Sequence, residues 1–210
     1  MNSGLLRIYE LFDELVGDYP LACEKGCVAC CTDRVVLTSA EARLILDYLE
    51  RTGQRDLLEK LPPAGRSYTP PTTMNGLARV CMEGGDLPEE PEDLEPGACP
   101  LLGEDGACPV YPVRPFACRA LVSKTKCEAG GAARMDPFWI TQNELFMQWI
   151  EHMDQGGFSG NLADMLLGLV GESATGTMLA NEPIPGLFAP PEERDRLMEV
   201  VRLLREVQTG

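Results

Sequence analysis

Residues 23–31 read Cys23-Glu24-Lys25-Gly26-Cys27-Val28-Ala29-Cys30-Cys31. Four thiols in nine residues is a ligand pattern rather than a core-packing pattern. Cys27 and Cys30 have the two-residue gap that turns both thiolates toward one metal, and Gly26 gives the backbone freedom for that turn. Adjacent Cys30 and Cys31 point apart, so they serve different metals or opposite sides of one cluster. A segment of this kind takes its shape from its ligands. It predicts an irregular centre with regular elements packed around it.

The matching thiols lie downstream, in Cys99-Pro100-Leu101-Leu102, Cys108-Pro109-Val110-Tyr111, Arg114-Pro115-Phe116-Ala117-Cys118-Arg119 and Cys127. The gaps of eight, nine and eight residues are too long for zinc knuckles, so each thiol comes from a separate loop. Residues 62–137 hold 12 of the chain's 17 prolines, which argues against long regular elements there. The stretch 83–95 carries seven acids and no base, and reads as a solvated loop. A centre poor in backbone pairing needs cross-links, and metal–thiolate bonds supply them because binding free energy becomes folding free energy.

Helical patterns flank the centre. Leu5, Ile8, Phe12, Leu15 and Val16 recur at helical spacing over residues 4–16. Arg34–Thr38 is β-branched and reads as a short strand leading out of the first cluster. Thr38 and Glu41 form a capping box for a helix with Ala42, Ile45, Leu46 and Leu49 on one face, ending near Gly53. Beyond Cys127, a helix starts either at Asp136-Pro137 or at a Thr141/Glu144 capping box, and carries Leu145, Phe146, Trp149, Ile150 and Met153. Another shows Leu162, Met165, Leu166, Leu169 and Val170. The last begins near Pro191 and carries Leu197, Val200, Val201, Leu204 and Val207. The expected fold is mainly α, with at most a few short strands. Residues 1–135 form a cysteine-cluster domain, and 136–210 a helical segment packed on it.

The order and spacing of the cysteines resemble the YkgJ-like cysteine-cluster family, described as a zinc- or iron-chelating domain. Its pattern is a tight group ending in Cys-x-x-Cys-Cys, then Cys-x-x-Leu, Cys-x-x-Tyr/Phe and Arg-Pro-x-x-Cys segments. Here these are Cys27 to Cys31, Cys99 to Leu102, Cys108 to Tyr111, and Arg114 to Cys118; the likeness covers roughly residues 20–130. The resemblance implies eight ligands: Cys23, Cys27, Cys30, Cys31, Cys99, Cys108, Cys118 and Cys127. Cys81 falls outside the pattern, as a spare thiol.

Zinc and iron–sulfur clusters both accept all-cysteine ligation. Zinc sites usually show two short cysteine pairs, and only Cys27/Cys30 qualifies. A close run plus remote cysteines followed by proline, as at Cys99 and Cys108, favours an iron–sulfur cluster of the 4Fe–4S type. Eight ligands allow one cluster with spare thiols, two four-cysteine sites or a polynuclear site. Arg114 and Arg119 bracket Cys118 and are candidates to offset thiolate charge and donate to sulfur.

The remaining composition narrows the function. Acids outnumber bases 33 to 18, for a net charge of −15, which disfavours nucleic acid and anionic membranes as partners. No run of ~18 apolar residues exists to span a bilayer. The lone histidine, His152, excludes multi-histidine metal sites and reads as an ordinary helix residue. Residues 1–22 lack the basic segment and apolar run of a signal peptide, so the expected setting is the reducing cytoplasm. Three functions compete. The first is a metal protein with a structural, electron-transfer or metal-handling role. The second is an S-adenosylmethionine-dependent enzyme. Cys23-x3-Cys27-x2-Cys30 has the radical-enzyme spacing, and flagellin lysine methylases resemble the family, but the expected alternation of strands and helices is missing. The third is a thiol or metal redox sensor.

Overall fold

Leu5, Ile8, Phe12 and Val16 are buried along one face of the first helix, α1 (Asn2–Val16), together with Tyr9 and Leu11. This is seen in a computed structural model, which describes all residues except 1, 18, 25, 64, 66–67, 90–95, 128–132, 172–177, 188 and 210. Residues 90–95 of the acidic stretch therefore lie outside the described residues. The predicted strand is present as β1 (Val36–Thr38) and runs directly into α2 (Ser39–Thr52). The capping box at their junction is complete: the Glu41 N–H donates to Thr38 Oγ1, and the Thr38 N–H donates to the Glu41 carboxylate at 2.8 Å. Gly53, at φ 66°, closes α2 in the left-handed conformation that glycine adopts without penalty.

The proline-rich stretch holds one element that its composition concealed, α3 (Met74–Glu83). Its prolines stop at Pro71 and resume at Pro88, so the window between them is free to coil. Thr73 caps the start by accepting from the Gly76 N–H, and Gly84 ends it. Further along come a short helix, α4 (Phe116–Ala120), and the long α5 (Pro137–Met153). The first of the two predicted starts of α5 is the real one: Pro137 opens the helix and Thr141 lies within it. The Asp136 side chain is not spent on the cap. It accepts from Tyr19 Oη at 2.9 Å and pairs with Lys124.

Strand β2 (Phe158–Asn161) was not anticipated, because Ser-Gly-Asn has little strand propensity. It pairs antiparallel with β1, with Val36 opposite Asn161, and on its other edge with β3 (Leu179–Ala180). Asn161 earns its place by side-chain bonds. Its Nδ2 donates to the Asp33 carbonyl at 2.7 Å, and its Oδ1 caps α6 (Leu162–Leu169) through the Ala163 N–H. The chain ends in α7 (Arg194–Thr209), which buries Leu197, Val200, Val201 and Leu204 and packs on α1 and α5. The fold is thus mainly α with a small three-stranded sheet. One buried cluster draws residues from both sides of residue 135.

The core turns on three rings. Phe12 of α1, Phe116 of α4 and Phe146 of α5 lie 4.8, 5.3 and 5.4 Å apart in pairs, each fully buried. Aromatic pairs of this kind add about 0.5–1.5 kcal/mol each beyond their area. Beside them Glu41, 4% exposed, accepts from Tyr9 Oη (2.8 Å), the Phe116 N–H (2.7 Å), and the Thr38 N–H and hydroxyl (2.8 and 3.1 Å). Removing the carboxylate strands buried donors on three elements. Glu41→Ala should therefore lower stability by on the order of 3 kcal/mol. A urea midpoint equal to that of the parent would show that Glu41 does not hold these elements together.

Candidate metal centre

The cysteine loops gather against one end of this core. Tyr19 anchors the first of them: its ring packs 4.5 Å from Trp139 of α5, and its hydroxyl donates to Asp136. The chain then meets the loop that follows α4. The Ala22 N–H donates to the Ser123 carbonyl at 2.8 Å, and the Ser123 N–H donates to Cys23 Sγ at 3.2 Å. Lys126 pairs with Glu24 at 3.1 Å, so the loop leading to Cys127 runs alongside Cys23. Gly26, at φ 90°, makes the turn its position predicted.

A second junction places Cys31. Thr32 and Ala98 form an antiparallel bridge, which sets Cys31 opposite Cys99 and Asp33 opposite Gly97. The Cys99 N–H donates to the Cys31 carbonyl and the Asp33 N–H to the Gly97 carbonyl, each at 3.0 Å. Directly opposed residues of an antiparallel pair share one face. A Cβ at Gly97 would meet Asp33 Oδ2 at 2.7 Å, so a side chain there would displace the carboxylate that accepts from the Gly97 N–H.

Cys99 and Cys108 each open the same small device. Proline follows the cysteine, an apolar residue comes next, and the fourth N–H returns to the cysteine carbonyl: Leu102 to Cys99 at 3.0 Å, Tyr111 to Cys108 at 3.2 Å. Proline is suited to the second position of such turns. The third residues, Leu101 and Val110, are each 2% exposed and pin the turns to the core. Backbone N–H groups then face the sulfurs. Those of Leu101 and Leu102 lower the Cys99 pKa, and that of Val110 lowers the Cys108 pKa, against a larger upward push from burial. The Gly103 N–H donates to the Ala107 carbonyl and closes the loop between the two cysteines. Cys118 sits in the middle of α4, two residues past the ring of Phe116.

The thiols are close enough to act on one another. Burial first, then the like charge of Cys27, Cys23 and Cys127, raises the Cys30 thiol. Burial, Cys30, Cys99, Cys108 and Cys27 push Cys31 up to about 11. Burial, Cys99, Cys108, Cys31 and Cys30 push Cys118 up further. The eight cysteines of the motif are all drawn into these sets. Cys81 lies on α3, which packs against α5. All nine thiols are free. Among the described residues, no three Cys, His, Asp or Glu side chains are closed to metal-ligating geometry as they stand. The donor set nevertheless fits a thiophilic metal. As thiolates these partly buried sulfurs would repel each other, several have N–H donors aimed at them, and a bound cation would offset their charge.

The two arginines part company. Arg114 stacks 4.0 Å from the Tyr111 ring centre and donates to the Tyr111 carbonyl, and its charge acts against the larger upward push of burial on the Cys108 thiol. Arg119 turns the other way. Its guanidinium meets Asp13 at 2.7 Å and lies over the Tyr9 ring at 4.6 Å, so it ties α4 to α1 in place of donating to sulfur. The reason is helical geometry, which sends residue 119 to a different face of α4 from residue 118. His152 accepts from the Ile184 N–H at Nδ1, an ordinary structural contact. Ser123, 1% exposed, escaped the sequence reading although its N–H, hydroxyl and carbonyl all bind the cysteine loops. A serine between two cysteines carries no periodicity or motif that would reveal it.

A mostly apolar cavity of about 280 Å³ is lined in part by Leu37, Met147, Phe116 and Ala117 and by the buried Glu41 and Glu151. No helix among the described residues is long and apolar enough to cross a membrane.

Compared with known protein families, residues 22–135, more than half the chain, match the CxxCxxCC family, whose description reads "Putative zinc- or iron-chelating domain". The chain belongs to that family. Neither a search of curated proteins nor one of solved structures found a match. The family and the nine cysteines support metal binding.

Exposure and burial order the thiols by reactivity. With metal removed, exposed Cys23 should alkylate with iodoacetamide at least about tenfold faster than Cys118, whose thiolate is suppressed by burial. Mass spectrometry of digested, partly labelled protein reads the order. Equal rates would mean that Cys118 is not shielded by the packing of α4.

Proposed function

We propose that this chain holds an iron–sulfur centre, in preference to zinc, through Cys23, Cys27, Cys30, Cys31, Cys99, Cys108, Cys118 and Cys127. The observation that carries the reading is the mutual proximity of these thiols, with main-chain N–H groups facing several of the sulfurs. Such hydrogen bonds stabilise thiolate charge and tune cluster potential. The proline-spaced cysteines favour iron–sulfur over zinc, as in the sequence. The centre fixes the loops of residues 97–127 and serves electron transfer or metal handling. Nine free thiols suit a reducing cytoplasm. A strongly acidic chain has no natural affinity for nucleic acid.

A second reading, S-adenosylmethionine-dependent catalysis, draws on the cavity beside Ala117, next in sequence to Cys118. The small antiparallel sheet gives it no support, since the radical-enzyme barrel needs alternating strands and helices. Consumption of S-adenosylmethionine by the loaded protein would favour it over the first reading.

Protein purified without oxygen should carry iron and acid-labile sulfide, with visible absorption that bleaches on reduction. Zinc with no sulfide would replace the cluster by a zinc site, and absence of any metal would sink the reading. Cys30→Ser should lower metal per chain while Cys81→Ser leaves it at the parental value. Equal losses would mean the ligands are wrongly chosen.

Metal should also hold the loops. Structural metal sites contribute on the order of 10 kcal/mol, comparable with the stability of a whole domain. Hydrogen exchange after chelation should rise sharply across 97–127 while α1, α5 and α7 stay protected. Unchanged protection across 97–127 would remove the structural role.

A further inference from the structure

The geometry divides the thiols into two sets. Cys31 stands opposite Cys99 across the Thr32–Ala98 bridge, so these two side chains share a face. Cys108 joins them because the Gly103–Ala107 contact closes the loop from Cys99, and Cys118 enters from α4. Cys99, Cys108 and Cys118 all pack against the hydrophobic core. Cys30 lies within a turn of the first cysteine loop, closed by the Cys31 N–H donating to the Val28 carbonyl, and so belongs with Cys27 and with the strip formed where Ala22 and Cys23 meet Ser123. Cys127 lies at the end of that strip, past the Lys126–Glu24 pair.

We infer two separate four-thiolate centres: an outer one of Cys23, Cys27, Cys30 and Cys127, and an inner one of Cys31, Cys99, Cys108 and Cys118, joined by the Cys30–Cys31 peptide. This rests on the metal-binding reading above and goes beyond it, because eight thiolates around a single polynuclear cluster would satisfy that reading equally. The environments of the two centres differ. The outer contains the exposed Cys23 and is bounded by solvent-facing Lys126 and Glu24. The inner is backed by Leu101, Val110 and Phe116, all buried, and has Arg114 at Cys108. The outer centre is the exchangeable one and the inner the permanent one.

The test is metal content per chain in the parent, Cys23→Ser, Cys127→Ser and the double variant, all on the full chain. Both positions lie at the outer edge, where serine is tolerated, and far-ultraviolet circular dichroism checks the fold. Each single variant should keep about half the parental metal, and the double should lose no more than either single. Chelator treatment of the parent should remove metal in two phases of equal amplitude, the fast phase missing from both singles. Complete loss of metal from a folded single variant, or a single chelation phase, would overturn the division in favour of one shared cluster. Full metal retention in either variant would overturn it by removing that cysteine from the ligand set. A parent without metal would overturn the metal-binding reading itself, and the division with it.

Discussion

One carboxylate connects the helical core to the cysteine loops. Glu41 belongs to a capping box, a local device that every helix start can use. Here one oxygen, Oε2, serves the box, and the other, Oε1, accepts from two distant groups, Tyr9 Oη and the Phe116 N–H. The helix α2 thus holds the start of α4, and α4 carries Cys118. Since Phe116 also stacks on Phe146 and meets the edge of Phe12, α4 is held by a polar clamp on one side and an aromatic cluster on the other. A five-residue helix has too few hydrogen bonds to be stable alone, so its position is wholly a tertiary product.

The centre itself is a balance of charges. Thiolates crowded in a half-buried site repel, and burial keeps their protons on, with Cys31 up at about 11. N–H donors and Arg114 act against that repulsion, and a bound metal would do so further. The acidic character of the chain, −15 overall, makes the local cations scarce and therefore meaningful. Arg114 acts on Cys108 through its charge, whereas Arg119 joins two helices through Asp13 and Tyr9.

What could be read beforehand followed the range of the interactions. The α1, α2, α5, α6 and α7 stripes, the Thr38/Glu41 capping box and the end at Gly53 are written in contiguous residues, and they stand where the pattern put them. The gathering of the cysteines was legible through their order and spacing, and the family match extends over the same stretch. Strand β2 was hidden because Ser159, Gly160 and Asn161 owe their extended form to a partner strand. Helix α3 was hidden by averaging prolines over a long window when their gaps were what mattered. The grip of Ser123 on the cysteine loops is a contact across 100 residues, and no local pattern encodes it.

The Thr32–Ala98 bridge and the Cys23–Ser123 contact have a consequence for biosynthesis. The first four thiols leave the ribosome long before the segments they pair with. At about 5–20 residues per second, a separation of roughly 100 residues leaves them waiting for several seconds or more. During that interval the three thiols of the Cys-x-x-Cys-Cys run stand open, able to oxidise, to take an adventitious ion or to meet a carrier. Nascent chains of this kind depend on their surroundings for correct loading, and the redox state around the ribosome becomes part of the folding pathway.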